Sequence, residues 1–228
     1  MQKFAVIGLG RFGSVLARQL AEFGAEVIAI DRDEEHVAEV RDHVSVALCM
    51  DGTDERLLRE QGVDHVDVAV VGMGESFEST QLAIVVLRRL GVKRVVVKSA
   101  TPLHDEILRR IGAREVVSPE KESAIRLAQK LIAPRIVDYL EISEGNALVQ
   151  ITAPEKFHGR TIRELDVRNA YGVNIVAIKK RREVGRDENG EPILEERLVD
   201  IPGPTDVIDP TDVLVVIGAN DDVSRLAN

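Results

Sequence analysis

Three glycines near the start of the chain have the spacing of a phosphate-binding turn. Gly8, Gly10 and Gly13 stand in the pattern GxGxxG, between the apolar run of residues 3–9 and an amphipathic stretch that ends near residue 24. In that context the first glycine permits a tight turn, the second lets the backbone approach a pyrophosphate, and the third lets a helix pack closely on a strand. A bare tight turn is the alternative interpretation.

Two charged residues near these glycines could contact a nucleotide. Arg11 falls inside the glycine pattern, at the expected start of a helix, where a cation opposes the helix dipole and a polyphosphate would compensate for it. Asp31 follows the second apolar run, 23 residues after Gly8, where a carboxylate can accept hydrogen bonds from ribose hydroxyls. Each has an ordinary alternative, Arg11 as a solvated surface residue and Asp31 as the N-cap of a helix starting at Asp33.

The turn after the third apolar run is acidic and has the sequence MDGTD. Its Asp51 and Thr53 could flank an adenine ring. They could equally cap the following helix, because Asp and Thr are both common N-cap residues. The sequence leaves both interpretations open.

A repeated unit of helix, glycine and apolar run must position these residues. Helical stretches end at Gly24, Gly62, Gly91 and Gly112, and a Val/Ile-rich run follows each of them. Apolar runs without alternation are typical of strands covered on both faces, and alternating helices and strands indicate a parallel sheet. We therefore predict an α/β fold, a Rossmann-like doubly wound parallel sheet. Its six strands are expected near residues 3–9, 26–30, 46–50, 67–71, 94–98 and 115–118.

A smaller α+β domain is predicted to follow. Pro119 opens a helical segment with an apolar stripe, and Pro134 closes it. Further strands are expected near residues 147–152, 173–180 and 213–217. The charged segment 181–197 contains Asn189-Gly190, which predicts a hairpin turn. The domains are thus a nucleotide-binding domain at residues 1–134, including the connecting helix, and a C-terminal regulatory domain at residues 135–228.

Composition argues against several functional classes. The formal net charge of −9 and an aromatic content of 3% disfavour a nucleic-acid partner, which requires cations and stacking surfaces. No apolar run approaches the roughly 20 residues that span a bilayer, and no signal-peptide pattern is present. The single Cys49 fits a reducing compartment. We expect a cytoplasmic protein.

No arrangement of side chains for catalysis stands out. The five histidines share no spacing, and neither Tyr139 nor Tyr171 has a Lys four residues on. The patterns HExxH, GxSxG and CxxC do not occur. A dehydrogenase needs a proton donor or acceptor beside its nicotinamide. The sequence favours a protein that binds a nucleotide without turning it over, with a small NAD-dependent oxidoreductase as the alternative.

Several segments resemble one family over essentially the whole chain. FAVIGLGRFG, VIAIDRDEE, VVVKSATPLHDEILRRIGAREVVSPEKE and ELDVRNAYGVNIVAIKK are similar to the regulator-of-potassium-conductance (RCK) proteins, in particular the cytosolic gating subunits of Ktr/Trk-type bacterial potassium transporters. The resemblance implies an RCK N-terminal Rossmann domain that binds ATP or ADP, and an RCK C-terminal domain. It also implies dimers that close as an octameric ring, and a membrane-associated regulator of potassium transport held under an integral-membrane potassium-translocating subunit at the inner face of the cell membrane.

The resemblance also assigns residues to the nucleotide site. Arg11 would reach the terminal phosphate of ATP, and Glu120 would help to bind a divalent cation, Mg or Ca, near the phosphates. Glu120 has an ordinary alternative, because Pro119 and a following Glu suit the first turn of a helix. NAD or NADH is the alternative ligand. The predicted nucleotide-binding residues are Gly8, Gly10, Arg11, Phe12, Gly13, Asp31, Arg32, Asp51, Gly52, Thr53, Gly72, Lys98 and Glu120.

A second ligand site follows from the resemblance, because related subunits bind cyclic di-AMP between their C-terminal domains. Here Arg168 would pair with a phosphate, Asn174 would donate a hydrogen bond, and Ile175 would pack on an adenine. Ile201 and Pro202 would close the pocket from a neighbouring strand. The ordinary alternatives remain open at this point: a solvated Arg168, an Asn174 that ends a turn, and an Ile175 in the core.

Overall fold

Six parallel strands form the sheet of the first unit, Met1–Glu120. The computed structural model describes residues 1–73, 76–186, 192–199 and 201–227. The strands are β1 (Lys3–Ile7), β2 (Glu26–Asp31), β3 (Val46–Cys49), β4 (Val68–Val71), β5 (Arg94–Lys98) and β6 (Glu115–Val117). Their order across the sheet is β3-β2-β1-β4-β5-β6. The order reverses between β1 and β4, which is the switch point where doubly wound sheets bind ligands. The predicted Rossmann-like fold is confirmed.

Two apolar layers cover the faces of this sheet because its strands are apolar on both sides. Ala5 and Ile7 of β1 belong to one core, and the intervening Val6 belongs to the other. The helices are α1 (Arg11–Glu22), α2 (Glu34–Val40), α3 (Glu55–Glu60), α4 (Phe77–Arg89) and α5 (Pro102–Arg110). The four glycines predicted to end helices all adopt positive φ, from 76° at Gly62 to 119° at Gly112, as expected for residues that terminate a helix.

An antiparallel sheet organises the second unit, Lys121–Asn228. Its strands are β7 (Ile136–Ser143), β8 (Asn146–Thr152), β9 (Asn174–Arg186), β10 (Pro192–Val199) and β11 (Val213–Ala219). Their order across the sheet is β10-β9-β11-β8-β7. The helices are α6 (Pro119–Ile132), which begins at the end of the first unit, α7 (Ile162–Leu165), α8 (Val167–Tyr171) and α9 (Asn220–Ala227). The predicted α+β class is confirmed.

Of the two edge strands of this sheet, β7 was not predicted, whereas β10 forms with β9 the antiparallel pair that the predicted hairpin in residues 181–197 implies. Both edge strands contain charged residues among their apolar ones. Charged residues are common in edge strands, because one side of an edge strand has no partner strand. The predicted turn at Asn189-Gly190 lies outside the described residues. The predicted domain boundary at residue 134 stays a prediction, since the compact units divide after Glu120.

The helix α6 contributes no buried residue to either core. Its apolar side chains are exposed, with Leu131 72% and Ile132 83% accessible. Within the described part of the chain, no helix has both the length and the apolarity needed to cross a membrane.

An ion network around the buried Asp212 connects strand β9 to the segment that precedes β11. The Lys180 ammonium donates hydrogen bonds to the carboxylates of Asp209, at 2.8 Å, and Asp212, at 2.7 Å, and to the Val207 carbonyl at 2.6 Å. Asp212 is only 1% exposed. Burial by itself lowers the pKa of Lys180, but the hydrogen bonds to both carboxylates outweigh it and raise the pKa above its usual value of 10.5.

Replacing Lys180→Met is therefore expected to destabilise the second unit by on the order of 3 kcal/mol, because it leaves the Asp212 carboxylate buried and unpaired. The raised pKa of Lys180 means that its stabilisation is complete below the unfolded value near 10.5 and is lost as the pH rises through the folded value. Urea unfolding at neutral and alkaline pH measures both effects.

The matched control is Lys179→Met, one residue earlier on the same strand. Lys179 pairs with Glu196 at 3.2 Å, and the Glu196 side chain is 39% exposed. An exposed pair of this kind contributes less than about 1 kcal/mol. Equal losses in the two variants would contradict the role of the ion network.

Candidate functional site

The carboxyl ends of β1, β2 and β4 surround a cavity of about 470 Å³, called here the N-terminal cavity. It lies at the switch point of the sheet. Six of the predicted nucleotide-binding residues line it: Gly8, Gly10, Asp31, Arg32, Gly52 and Gly72. Its volume falls within the range of small-molecule pockets.

Close contacts between backbone segments form the floor of this cavity. Gly8 has a φ of +92°, and a Cβ added to Gly13 would lie 1.9 Å from the Gly8 carbonyl oxygen. A Cβ on Gly72 would lie 3.0 Å from the same oxygen. Gly10, in contrast, faces open space, with nothing within 4 Å of the position that a Cβ would occupy. A ligand can therefore approach the backbone at Gly10 without displacing a side chain.

Among the described residues, no side chain caps or neutralises the amino end of α1. Gly10 supplies no side-chain cap, and the first turn contains no acidic residue. The amide groups of a first helical turn lack intrahelical partners and attract anions. Arg11, the first helical residue, is exposed, and in the described structure no carboxylate pairs with it. The cation and the amide groups together form an anion-binding end next to the cavity.

Asp31 ties the glycine turn to the turn after β2. Its carboxylate accepts the Leu9 amide hydrogen at 2.6 Å and the Asp33 amide hydrogen at 3.0 Å. The N-cap of α2 is Asp33, which accepts from the Glu35 amide at 2.9 Å. The alternative in which Asp31 caps this helix is therefore wrong. Asp31 instead lines the cavity with its side chain 13% exposed.

His36 was missed by the sequence analysis. Its Nδ1 lies 3.5 Å from the Asp31 carboxylate but makes no hydrogen bond of good geometry, although this atom is buried. The residue lines the cavity together with Ser76 and Ser79 near the start of α4. His36 lies five positions after Asp31 in the chain, and only the turn between β2 and α2 brings the two side chains together. No pattern in the sequence signals that contact.

Hydrogen bonds between residues of the MDGTD turn stabilise it. Asp51 accepts hydrogen bonds from the Thr53 hydroxyl at 2.7 Å and the Thr53 amide at 2.9 Å, and these bonds keep the pKa of the Asp51 carboxyl below its usual value. Asp54 is the residue that caps α3, so the capping alternative for Asp51 and Thr53 is wrong. A Cβ on Gly52 would lie 2.2 Å from Ile7, which requires a glycine at this point of the cavity wall.

A cation, an anion and an aromatic ring meet at the end of β5. Lys98 Nζ lies 2.5 Å from the Glu120 carboxylate and 5.9 Å from the centre of the Phe12 ring. The hydrogen bond from Lys98 lowers the pKa of the Glu120 carboxyl. Glu120 also occupies the first turn of α6, as its ordinary alternative predicted.

The remaining predicted residues do not line the N-terminal cavity. They are Arg11, Phe12, Gly13, Asp51, Thr53, Lys98 and Glu120. No group of three His, Cys, Asp or Glu side chains suited to a metal ion occurs among the described residues.

The second unit has a cavity of about 350 Å³ between α7, α8 and the start of β9, called here the C-terminal cavity. It brings together four of the predicted regulatory residues: Arg168, Asn174, Ile175 and Pro202. Ile201 does not line it and is 85% exposed. Pro202 reaches the cavity from a loop, whereas a neighbouring strand was predicted. Arg163 and Pro204 also line it and were missed.

Comparison with known proteins identifies both units. Residues 4–119 match the TrkA-N domain and residues 147–228 match the TrkA-C domain. The Ktr system potassium uptake protein C of Bacillus subtilis is 39% identical over 224 residues, covering 98% of this chain and 95% of that protein. The Ktr system potassium uptake protein A of the same organism is 31% identical, covering 100% of this chain and 96% of that protein.

Solved structures share the fold. The RCK domain of GsuK has a TM-score of 0.61 at 17% identity, covering 99% of this chain and 47% of that one. The GsuK channel bound to NAD has a TM-score of 0.55 at 24% identity, covering 99% of this chain and 38% of that one. The chain thus spans less than half the length of these structures. The matched domains and the two Ktr relatives confirm the resemblance: the chain belongs to the TrkA-N/TrkA-C family, which includes the Ktr system potassium uptake proteins and shares its fold with RCK domains.

Proposed function

We propose that the chain is the regulatory subunit of a potassium uptake system, gated by the exchange of ATP and ADP in the N-terminal cavity, and not an enzyme. The observation that carries this proposal is the anion-binding end of α1, where Arg11 has no carboxylate partner in the described structure and Gly10 leaves the backbone open. A thermal-shift comparison of ATP, ADP, AMP, NAD and NADH tests it, because a ligand bound only by the folded state raises stability. Stabilisation by none of them would contradict it.

Switching requires a contact that one nucleotide makes and the other lacks. A ligand shifts a conformational equilibrium only by its difference in affinity for the two states. ATP and ADP differ by the γ-phosphate, and Arg11 is the cation placed at the anion-binding end. Contact between Arg11 and the γ-phosphate would therefore supply the difference.

A second candidate is a sensor of NAD or NADH with the same partner. The observation that favours it is the fold shared with a channel bound to NAD. Asp31 at the end of β2 could bind ribose hydroxyls, but it does not discriminate, because ATP and NAD both contain an adenosine ribose. The thermal-shift comparison distinguishes the two candidates.

The subunit is proposed to act as an assembly, as a dimer within an octameric ring, beneath an integral-membrane potassium-translocating partner at the inner face of the cell membrane. Support comes from the potassium uptake relatives and from the exposed apolar side chains of α6. Ile125, Leu127, Leu131 and Ile132 are between 43% and 83% exposed. Monomeric proteins seldom leave such a stripe in water.

The C-terminal cavity is proposed to bind cyclic di-AMP. Arg168 and Asn174 offer a cation and an amide next to the apolar Ile175, a combination suited to a phosphate joined to an adenine. A two-fold ligand also suits a two-fold interface, because each half meets the same residues.

Arg11→Ala is expected to weaken ATP binding by about 1.5–3 kcal/mol, the range for a charge-assisted hydrogen bond, and to change ADP binding little. Titration calorimetry with both nucleotides measures this. The control is Arg18→Ala on the same helix, whose side chain bonds only to the Ser14 carbonyl among the described residues. Equal losses of ATP affinity and ADP affinity in Arg11→Ala would contradict the proposed contact between Arg11 and the γ-phosphate.

Glu120→Gln is expected to reduce the dependence of ATP binding on Mg²⁺ or Ca²⁺, because it removes the carboxylate charge next to the phosphates. Affinity for ATP is measured with each cation and with a chelator. Glu122→Gln, two residues further along α6, is the matched control. An unchanged cation dependence in Glu120→Gln would contradict the assignment.

Because the pKa of Glu120 is lowered, the wild-type cation effect should persist into mildly acidic solution and fade only as the pH falls through that lowered pKa.

Arg168→Ala and Asn174→Ala are each expected to weaken cyclic di-AMP binding to the full chain by tenfold or more, given about 1.5–3 kcal/mol for a bond to a charged group. Asn169→Ala is the control, because Asn169 lies on the same helix as Arg168 but bonds to Asp166. Fluorescence titration gives the affinities. Wild-type binding that survives both cavity substitutions would place the ligand elsewhere.

A further inference from the structure

Charge is distributed very unevenly along the first unit. Residues 21–80 carry sixteen Asp and Glu but only four Lys and Arg. Residues 86–116 carry eight Lys and Arg but only three Asp and Glu. In a chain with a net charge of −9, a cationic stretch of this kind needs a physical explanation.

The fold gathers most of these cations at one place. Helices α4 and α5 run antiparallel to the strands, so their carboxyl ends lie at the amino edge of β5 and β6. The Arg114 amide donates to the Val95 carbonyl, Arg94 pairs with Glu115 at 3.0 Å, and the Arg88 side chain packs against Gly112. Seven exposed cations form what we call the cationic edge: Arg88, Arg89, Lys93, Arg94, Arg109, Arg110 and Arg114.

Internal pairing neutralises only part of this charge. Arg89, Arg94 and Arg110 pair with Glu55, Glu115 and Glu106 respectively. In the described structure, no carboxylate lies within ion-pair distance of the other four. Cations in the last turn of a helix complement its dipole, which accounts for the arginines of α4 and α5. It does not account for Lys93, Arg94 and Arg114, which lie outside the helices.

The shape of the cationic edge favours an extended anionic surface over a discrete ligand. Neither described cavity is lined by any of its residues, and the N-terminal cavity lies at the opposite, carboxyl edge of the sheet. Acidic residues of the unit lie at both edges of the sheet, Asp31 and Asp33 at the carboxyl edge and Glu26, already paired with Lys3, at the amino edge. An anionic bilayer, in contrast, meets all the exposed cations of one edge at once.

We propose that the cationic edge docks this unit on an anionic lipid surface. The contact is electrostatic, without insertion, and salt screens it. The acidic remainder of the chain is repelled by the same surface, so the docked orientation is fixed. The nucleotide cavity then faces away from the lipid and stays open to solution. This inference needs only the charge distribution and does not depend on which nucleotide binds.

Sedimentation with lipid vesicles tests the proposal on the full chain. Wild type is expected to bind vesicles of phosphatidylglycerol and phosphatidylcholine in equal parts at low salt, and to be released by high salt or by phosphatidylcholine alone. In Lys93→Ala/Arg114→Ala, which breaks no ion pair within the described residues, vesicle affinity is expected to fall about thirty-fold, from about fivefold per cation. The control Arg18→Ala/Arg41→Ala removes the same charge from α1 and the end of α2, on the other face of the sheet.

Several outcomes would overturn the proposal. The proposal is overturned if the wild-type protein does not bind the anionic vesicles. It is also overturned if vesicle affinity falls equally in Lys93→Ala/Arg114→Ala and in the control Arg18→Ala/Arg41→Ala. Tighter binding to a DNA duplex than to the vesicles assigns the edge to nucleic acid instead. Salt-sensitive self-association lost in Lys93→Ala/Arg114→Ala, without vesicle binding, assigns it to a second copy of the chain.

Discussion

The close approach of three backbone segments at Gly8, Gly13 and Gly72 is the constraint on which the first unit depends. A Cβ at Gly13 would overlap the Gly8 carbonyl, and one at Gly72 would crowd the same oxygen. Because these segments touch, the amino end of α1 lies directly against the carboxyl ends of β1 and β4. The same contact leaves Gly10 facing open space. The packing of the core and the exposure of an anion-binding backbone are therefore one feature of the fold.

Asp31 connects this turn to the rest of the cavity through polar contacts. Its carboxylate holds the amide of Leu9 on one side and that of Asp33 on the other. A residue with this position is commonly assigned to a ribose, yet here it first stabilises the protein. Each carboxylate oxygen can accept more than one hydrogen bond, so the structural role and a ligand contact are compatible. His36, at 3.5 Å, is the additional group close enough to modify that contact.

The two units form their cavities in different ways. In the first, helix ends and glycines converge at the switch point of a parallel sheet. In the second, the loop carrying Pro202 and Pro204 forms one wall, and the Ile162 and Arg163 amides bond to the carbonyls of Asp206 and Pro204. The Lys180 network holds the residues that follow this loop. The C-terminal cavity thus relies on a loop held by polar bonds, whereas the first relies on backbone packing.

The sequence by itself determined the features whose cause is local. Glycines that adopt positive φ ended helices as predicted, and runs rich in Val and Ile marked the strands of the parallel sheet, most clearly the central strands β1, β2 and β4, where burial on both faces excludes polar residues. Only the tertiary structure decided the features that depend on residues distant in the chain. It showed that Asp33 and Asp54 cap helices while Asp31 and Asp51 bond elsewhere, and it brought His36 to the cavity. It placed the charged strands β7 and β10 at the two edges of the antiparallel sheet. It also gathered cations from two helices, from strand β5 and from the turns before β5 and β6 at one edge of the parallel sheet. Side chains meet there because the sheet orders the strands in space, and the order of residues in the chain does not encode that arrangement directly.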